Sequence, residues 1–246
     1  MPTISTTVTT ADGTCPVTLH TPNGSGPWTG VVMYVDAGGV RDLFQDMAAR
    51  LAGFGHAVLL PDVYYRHGEW EPFDMKTVFN DPKDRARLFR MIGSITPDMM
   101  AADAEAFFDF LAARPEVKGD AFGVCGYCMG GRTSIIVAGR VPDRVAAAGS
   151  FHASGLVTDE PTSPHLLADR IKATVYVAGA ANDQGFTPRH AEILDQALTD
   201  ANVTHTVEFY PAGHGFAVPD NAPYDPEAAE RHWVALQGLF KTALPN

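Results

Sequence analysis

Short runs of consecutive apolar residues alternate along this chain with longer stretches in which apolar residues recur every three or four positions. Residues 31–35 and 56–60 are apolar almost throughout, which is typical of strands buried on both faces of a parallel sheet. The stretch between them places its apolar residues on one face of a predicted helix: Leu43, Phe44, Met47 and Leu51. The pattern therefore predicts a strand, a helix and a second strand in succession.

The same alternation continues to the end of the chain. Further strands are predicted at 121–125, 145–151, 173–178 and 205–210. Each of three predicted helices begins with a capping residue followed by proline, at Thr96-Pro97, Thr187-Pro188 and Asp225-Pro226. Near the start, 4–10 and 17–20 flank Asp12-Gly13 as antiparallel strands. We expect an α/β fold with a mostly parallel central sheet and helices on both faces.

One segment, at about 66–95, shows no clear period and is rich in aromatic and charged residues. An irregular segment of this length is uncommon inside a domain and is often functional. No repeat or linker interrupts the remainder, so residues 1–246 are predicted to form a single α/β domain. The segment at 66–95 is interpreted as an insertion near the active site that covers the substrate.

Residues 126–130 read Gly-Tyr-Cys-Met-Gly and stand between the strand at 121–125 and an apolar helix. A nucleophile held in a strained conformation at a strand-to-helix turn leaves no room for a Cβ two residues to either side. Glycine at 126 and at 130 meets that requirement. The strained turn also presents free N–H groups at the start of the helix to an anion. Cys128 is therefore the predicted nucleophile.

Two later strands each end in a loop that carries a second chemical group. Asp183 follows the strand at 173–178, and His214 follows the strand at 205–210. The ends of parallel strands lie along one edge of the sheet, so these side chains can converge on Cys128. The order nucleophile, acid, histidine is that of an α/β-hydrolase triad.

These three motifs together resemble those of the dienelactone hydrolase family, and residues 60–66, Leu-Pro-Asp-Val-Tyr-Tyr-Arg, are similar to its fourth-strand signature. The resemblance extends from about residue 31 to the final helix. It implies an α/β-hydrolase fold, a small ester or lactone as substrate, and neither a metal nor an organic cofactor. It implies Cys128 as nucleophile, His214 as base and Asp183 as orienting acid. It also implies that the backbone N–H groups of Met129 and Ala37 form the oxyanion hole.

The chain departs from the family pattern at two positions. Asp36 stands where the family has a glutamate beside the resting thiol, so it is expected to tune that thiol. Val218 stands where enol-lactone hydrolases have a carboxylate-binding arginine, whereas Arg87, or alternatively Arg85, corresponds to a second such arginine. We therefore expect weak hydrolysis of charged dienelactones and better turnover of less charged activated esters. The remaining residues expected to line the substrate pocket are Tyr127, His152 and Phe216, with Val218 beside them.

Other interpretations of these residues remain open at this point. Cys125 and Cys128 form a Cys-x-x-Cys motif, which is also found in thiol oxidoreductases. Cys125 falls inside the predicted strand and is expected to point away from Cys128. His152 also follows a strand and competes with His214, but no carboxylate motif follows it. A catalytically idle binding protein on the same fold would show the same motifs.

Composition and charge restrict the class of partner. The formal net charge of −11 argues against nucleic acid or an anionic membrane surface as a partner. We expect no secretion signal, because the first residues show no basic region followed by an apolar stretch, and no membrane helix, because no apolar run reaches the roughly 18 residues that one needs. Three cysteines do not make a disulfide scaffold. We expect a reduced cytoplasmic enzyme that is a monomer or a small homo-oligomer.

Overall fold

A computed structural model describes residues 1–244, so the last two residues of the predicted 1–246 unit lie outside it. The described residues contain one eight-stranded sheet whose strands are arranged in the order β1-β2-β4-β3-β5-β6-β7-β8. The strands are β1 (Thr3–Thr10), β2 (Gly13–His20), β3 (Trp28–Tyr34), β4 (His56–Pro61), β5 (Val117–Tyr127), β6 (Val145–Phe151), β7 (Thr174–Ala180) and β8 (His205–Tyr210).

The sheet is parallel apart from its first two strands. β1 pairs antiparallel with β2, and β2 pairs antiparallel with β4. Every later pair, from β3–β4 to β7–β8, is parallel. The predicted α/β-hydrolase fold is therefore confirmed. One consequence matters for function. The C-terminal ends of the parallel strands all lie along the same side of the sheet, and this holds for β3, β5, β6, β7 and β8.

Helices cover both faces of the sheet, and each face has its own apolar cluster. The helices are α1 (Asp42–Ala52), α2 (Pro82–Gly93), α3 (Pro97–Ala112), α4 (Met129–Arg140), α5 (Pro188–Asp200) and α6 (Pro226–Ala243). Residues of α3, α4 and α5 fill one cluster, and residues of α1 and α6 fill the other. The predicted caps are present, since the side chains of Thr96, Thr187 and Asp225 each accept a backbone N–H of their helix.

The segment at 66–95 is less irregular than the sequence suggested, because it contains α2. The side chain of Asp81 caps this helix by accepting the N–H groups of Lys83 and Asp84, and Pro82 occupies its first position. Leu88 and Met91 are its only fully buried side chains. Its many charged residues and the exposed Phe89 obscure the apolar face, which explains why the pattern of apolar residues did not reveal the helix. The Asp-Pro start was the available signal.

A third, smaller apolar cluster joins this segment to the edge of the sheet where the strands end. It consists of Ala37, Tyr64, Phe73, Val78, Leu88 and Met91. Ala37 follows β3 and Tyr64 follows β4, so the insertion packs directly on the two loops that follow those strands. Among residues 1–244, no helix combines the length and the apolar character needed to cross a membrane.

Candidate active site

Cys128 occupies a sharp turn between β5 and α4, with φ of 52° and ψ of −114°. A positive φ is strained for any residue other than glycine and costs on the order of 1–3 kcal/mol. A Cβ added to Gly126 would lie 2.2 Å from the carbonyl oxygen of Gly130, and one added to Gly130 would lie 2.4 Å from that of Tyr34. Both glycines are therefore required by close backbone approach, and the turn leaves the Cys128 side chain partly exposed.

The structure brings the three predicted triad residues together. His214 Nε2 lies 3.1 Å from Cys128 Sγ, and His214 Nδ1 lies 2.7 Å from Asp183 Oδ2. Asp183 is held in turn by the Gly185 N–H at 2.7 Å and by the Ser154 hydroxyl at 3.1 Å. With a carboxylate at Nδ1, the imidazole carries a proton there and presents Nε2 to the sulfur.

The surroundings of His214 and Asp183 shift the pKa values of both side chains. Burial by itself would lower the pKa of His214, but hydrogen bonds and charges from Asp183 and Cys128 raise that pKa to about 10. Burial would raise the pKa of Asp183, whereas hydrogen bonds from His214, Gly185 and Ser154 hold it below its usual value. Both shifts favour a protonated imidazole beside the ionised Asp183 carboxylate.

Two backbone N–H groups were predicted to form an oxyanion hole. Met129 is the first residue of α4, and Ala37 lies just beyond β3. Among residues 1–244, the N–H groups of Met129 and Ala37 have no hydrogen-bond acceptor. Unpaired N–H groups at a helix start beside a nucleophile are suited to a developing negative charge. Tyr64, fully buried, donates its hydroxyl to the Ala37 carbonyl oxygen at 3.1 Å and so braces this loop.

The Asp36 carboxylate makes its hydrogen bonds with groups other than the thiol. The Asp36 side chain is 1% exposed and accepts hydrogen bonds from Gly38 N–H, from both terminal nitrogens of Arg41 and from Asn221. No hydrogen bond joins Asp36 to Cys128 within residues 1–244. The shorter aspartate forms an ion pair with Arg41, and tuning of the thiol by Asp36 stays a prediction that no direct contact supports.

Four residues predicted to line the substrate pocket lie beneath the site instead. The side chains of Tyr127, His152, Phe216 and Val218 are completely inaccessible to solvent. Tyr127 points into the sheet core, where its hydroxyl lies 3.1 Å from His232 Nε2. These residues therefore pack in the core next to the site and do not face a substrate. They belong to apolar stretches of the sequence, which already favoured burial.

His152 is unusual among these supporting residues. Its φ is 40°, its ring lies 5.4 Å from the ring of His214, and neither ring nitrogen has a hydrogen-bond partner among the described residues. Burial, followed by the charges of His214 and His232, lowers the pKa of His152 well below its usual value. A neutral imidazole thus packs against the triad histidine.

The two predicted arginine anchors do not reach the triad. Arg87 donates to the carbonyl oxygen of Glu71 and lies 4.2 Å over the ring of Phe73, so its contacts stay within the insertion. Arg85 is exposed on α2. Arg85 is thus on the solvent side of α2, whereas Arg87 is half-buried against the insertion.

The second cysteine of the Cys-x-x-Cys motif lies apart from the first. Cys125 is fully buried in the apolar cluster formed with α1 and α6, and all three cysteines are free. Burial raises the pKa of the Cys125 thiol. The strand geometry expected from the sequence therefore leaves Cys125 poorly suited to redox chemistry. Among residues 1–244, no cluster of three or more His, Cys, Asp and Glu side chains could hold a metal ion.

Sequence reasoning missed three residues that hold this site in place. Ser154 donates to Asp183, Tyr64 braces Ala37, and Arg41 pairs with Asp36. Tyr64 belongs to the 60–66 stretch quoted for the resemblance, so a signal for it existed. Nothing in the sequence pattern distinguishes Arg41 or Ser154 from ordinary loop and surface residues.

Comparison with known proteins identifies relatives over nearly the whole chain. A sequence model of the dienelactone hydrolase family matches residues 15–244. A carboxymethylenebutenolidase from Rhodococcus opacus is 29% identical over 240 residues, which cover 94% of this chain and 88% of that protein. The solved structure m3DLH is 27% identical, with a TM-score of 0.82 and 99% of each chain covered. A dienelactone hydrolase-like promiscuous phosphotriesterase from metagenomic libraries is also 27% identical, with a TM-score of 0.78 and 99% of each chain covered.

Proposed function

We propose a mechanism from the premise that this chain belongs to the dienelactone hydrolase family and is a hydrolase of ester or lactone bonds. We propose that it acts through a Cys128–His214–Asp183 triad and a thioester acyl-enzyme. The observation that supports this most directly is the unbroken contact from Cys128 Sγ to His214 and on to Asp183, at 3.1 and 2.7 Å. The free N–H groups of Met129 and Ala37 supply the oxyanion hole.

In the first half-reaction the Cys128 thiolate attacks the substrate carbonyl carbon. The carbonyl oxygen takes the negative charge and accepts hydrogen bonds from the two backbone N–H groups, each worth about 3 kcal/mol of barrier. The intermediate collapses by expelling the ester oxygen, which takes a proton from His214. In a lactone this oxygen stays tethered to the acyl group. The result is a thioester on Cys128 and a neutral imidazole.

Hydrolysis of the thioester regenerates the enzyme. His214 takes a proton from water, the resulting hydroxide attacks the thioester carbonyl, and collapse releases the acid and the thiolate. Asp183 keeps the Nδ1 proton in place through both halves. Activated esters suit this route, because their oxygen leaves in preference to sulfur; amides are expected to be poor substrates.

The acyl-enzyme is the first testable consequence. Mixing the protein with excess neutral aryl acetate should release a burst of phenol close to one equivalent, followed by steady turnover. Acid quenching during the burst, followed by peptide mass spectrometry, should place one acetyl group on Cys128. Acetylation confined to another side chain, or turnover without any acylated peptide in rapidly quenched samples, would contradict the proposed route.

Substrate preference is the second consequence, and it rests on the positions of the predicted anchors. Arg87 contacts only the insertion, and Val218 is buried, so neither supplies a charge to a substrate carboxylate. One missing charge-assisted hydrogen bond is worth about 1.5–3 kcal/mol, or roughly tenfold to a hundredfold in recognition. We expect kcat/KM for a neutral aryl acetate to exceed that for a dienelactone carboxylate. We further propose that the 66–95 insertion covers the acyl group.

The control for this comparison is Arg87→Gln, which should change the two kcat/KM values equally and by less than about twofold. A Val218→Arg variant would not be informative, because position 218 lies in the core. A clear preference of the unmodified protein for the charged lactone would refute the expectation. It would direct attention to Arg132, whose guanidinium donates to the Gly155 carbonyl oxygen at 3.2 Å, close to the triad acid.

A further inference from the structure

The guanidinium of Arg41 joins two loops that each carry a residue of the proposed site. The oxyanion turn, defined here as residues 36–41, follows β3 and carries the Ala37 N–H. The histidine loop, defined as residues 211–225, follows β8 and carries His214. Arg41 extends from the first loop to the second and its side chain is 11% exposed.

Arg41 uses both edges of its guanidinium fork. Nη1 and Nη2 donate to the two oxygens of Asp36 at 2.8 and 3.0 Å. Nε and Nη2 donate to the two oxygens of Asp220 at 2.6 and 2.8 Å. Such double bidentate pairing fixes distance and angle together, which a point charge does not do. The side chain also lies 4.9 Å over the ring of Phe44, which limits its movement.

In the oxyanion turn, the fixed position of Asp36 determines the orientation of the Ala37 N–H group. Its carboxylate accepts the Gly38 N–H at 2.9 Å, and its backbone carbonyl accepts the Gly39 N–H at 3.1 Å. The peptide plane that contains the Asp36 carbonyl also contains the Ala37 N–H. Holding Asp36 from both ends therefore sets the direction in which the Ala37 N–H points.

On the histidine side, Asp220 and its neighbour Asn221 anchor the loop close to His214. Asn221 donates to Asp36 at 3.2 Å, and the Asn221 side chain packs against Gly215, the residue after His214. Asn221 N–H also donates to the Val218 carbonyl oxygen, which folds the loop back on itself. A displacement of Asp220 would therefore also change the position of His214.

From this arrangement we infer that Arg41 is a positioning residue. It holds the Ala37 oxyanion donor and the His214 base in register with Cys128, through Asp36 on one side and Asp220 on the other. The inference rests on the proposed function, because it assigns Arg41 a role in the same site. Arg41 touches neither substrate nor sulfur in this role, and its effect reaches the reaction through the two loops.

Three single variants test the link from different sides. Asp220→Asn weakens the contact with the histidine loop while leaving the Arg41–Asp36 pair; because Asp220 is 33% exposed, this variant should fold. Arg41→Gln removes both contacts, and Arg41→Lys keeps the charge but not the fork. For a neutral aryl acetate, Asp220→Asn and Arg41→Gln should lower kcat by about tenfold to a hundredfold, with KM changed less than about threefold. Arg41→Lys should be intermediate.

A double variant separates positioning from simple charge balance. Arg41→Gln leaves Asp36 as a buried unpaired charge and should lower the melting temperature. Asp36→Asn combined with Arg41→Gln removes that charge, so the melting temperature should recover while kcat stays low. Recovery of kcat together with the melting temperature would overturn the inference, since Arg41 would then only neutralise Asp36. Normal kcat in Asp220→Asn would overturn it as well.

A control and a second readout complete the experiment. Arg50→Gln removes an exposed ion pair with Glu230 between α1 and α6, and should leave kcat unchanged. The rate at which iodoacetamide alkylates Cys128 at neutral pH depends on the His214 contact but not on turnover; it should fall in Asp220→Asn and Arg41→Gln. If the unmodified protein did not hydrolyse the ester at all, the proposed function would fail, and the alkylation rates would still decide the role of Arg41.

Discussion

Replacing Cys128 with alanine is expected to lower kcat for ester hydrolysis by a factor on the order of 10⁴ or more, because the bond-forming atom is removed. The fold should survive, since the close approach of Gly126 and Gly130 shapes the turn and the Cys128 side chain is only partly buried. Steady-state kinetics with a neutral aryl acetate, together with a melting curve, would measure both. A melting temperature within a few degrees of the parent protein would show that lost activity is not lost folding.

The matched control is Cys125→Ala, three residues earlier in the chain and inside β5. Cys125 is fully buried, so the change should lower the melting temperature by removing packed sulfur. It should leave kcat within about threefold, because a fully buried thiol with a raised pKa supplies no nucleophile. If Cys125→Ala were as damaging to activity as Cys128→Ala, the triad would have to be replaced by a redox pair.

The free energy of unfolding is expected to fall steeply as the pH drops below about 6.5. Four histidines are buried, and burial lowers the pKa of each; the largest shifts are those of His56, His152 and His232, and the fourth ring is His20. Burial lowers the pKa of His56 to about 4 and that of His232 to about 3, and the pKa of His152 lies well below its usual 6.5. In the unfolded chain each ring takes a proton near pH 6.5. The unfolded state thus binds more protons than the native state and gains stability on acidification.

The sign and size of this effect follow from proton linkage. One additional proton bound by the unfolded state is worth 1.4 kcal/mol per pH unit, so three approach about 4 kcal/mol per pH unit below pH 6. Against a typical total of about 5–15 kcal/mol, this is large. His214 behaves oppositely: its pKa is raised to about 10, so its stabilisation is complete below 6.5 and is lost only as the pH rises towards 10.

Urea unfolding at several pH values between 8 and 5 would measure this slope. A His56→Gln variant offers a control, because His56 lies at the N-terminal end of β4, whereas the predicted triad lies at the C-terminal ends of the strands. The slope of this variant should be smaller by about one third, with ester hydrolysis at neutral pH unaffected. A free energy of unfolding that stays constant from pH 7 to 5 would contradict the neutral burial of these rings.

Much of the fold could be predicted because its strands obey simple rules. The continuous apolar runs at 31–35 and 56–60 correspond to β3 and β4, and the pairs Thr187-Pro188 and Asp225-Pro226 begin α5 and α6. α2 escaped prediction because it packs on a small peripheral cluster and buries only two side chains fully. The pattern of apolar and polar residues predicts an element well when many of its side chains are buried, and few side chains of α2 are buried.

Some residues of the site could be predicted from the sequence, and others could not. The spacing of Cys128, Asp183 and His214 reflects strand ends that converge on one edge, so their proximity could be expected from order alone. The predicted roles of Tyr127, Phe216 and Val218 in substrate binding were wrong, because motif proximity does not say on which side of the backbone a side chain lies. Arg41 could not be found, since its partners Asp36 and Asp220 are separated by most of the chain.

The arrangement of the strand ends has a consequence for how the chain acquires its reactivity. His214 stands 86 residues after Cys128 in sequence and reaches it only once β8 has paired at the far edge of the sheet. Contacts of such long sequence separation form late, since closing a long loop is entropically costly. During synthesis or refolding, the proposed triad is therefore incomplete for as long as β8 is unpaired. Pairing of β8 both adds the edge strand to the sheet and brings the proposed base to the thiol.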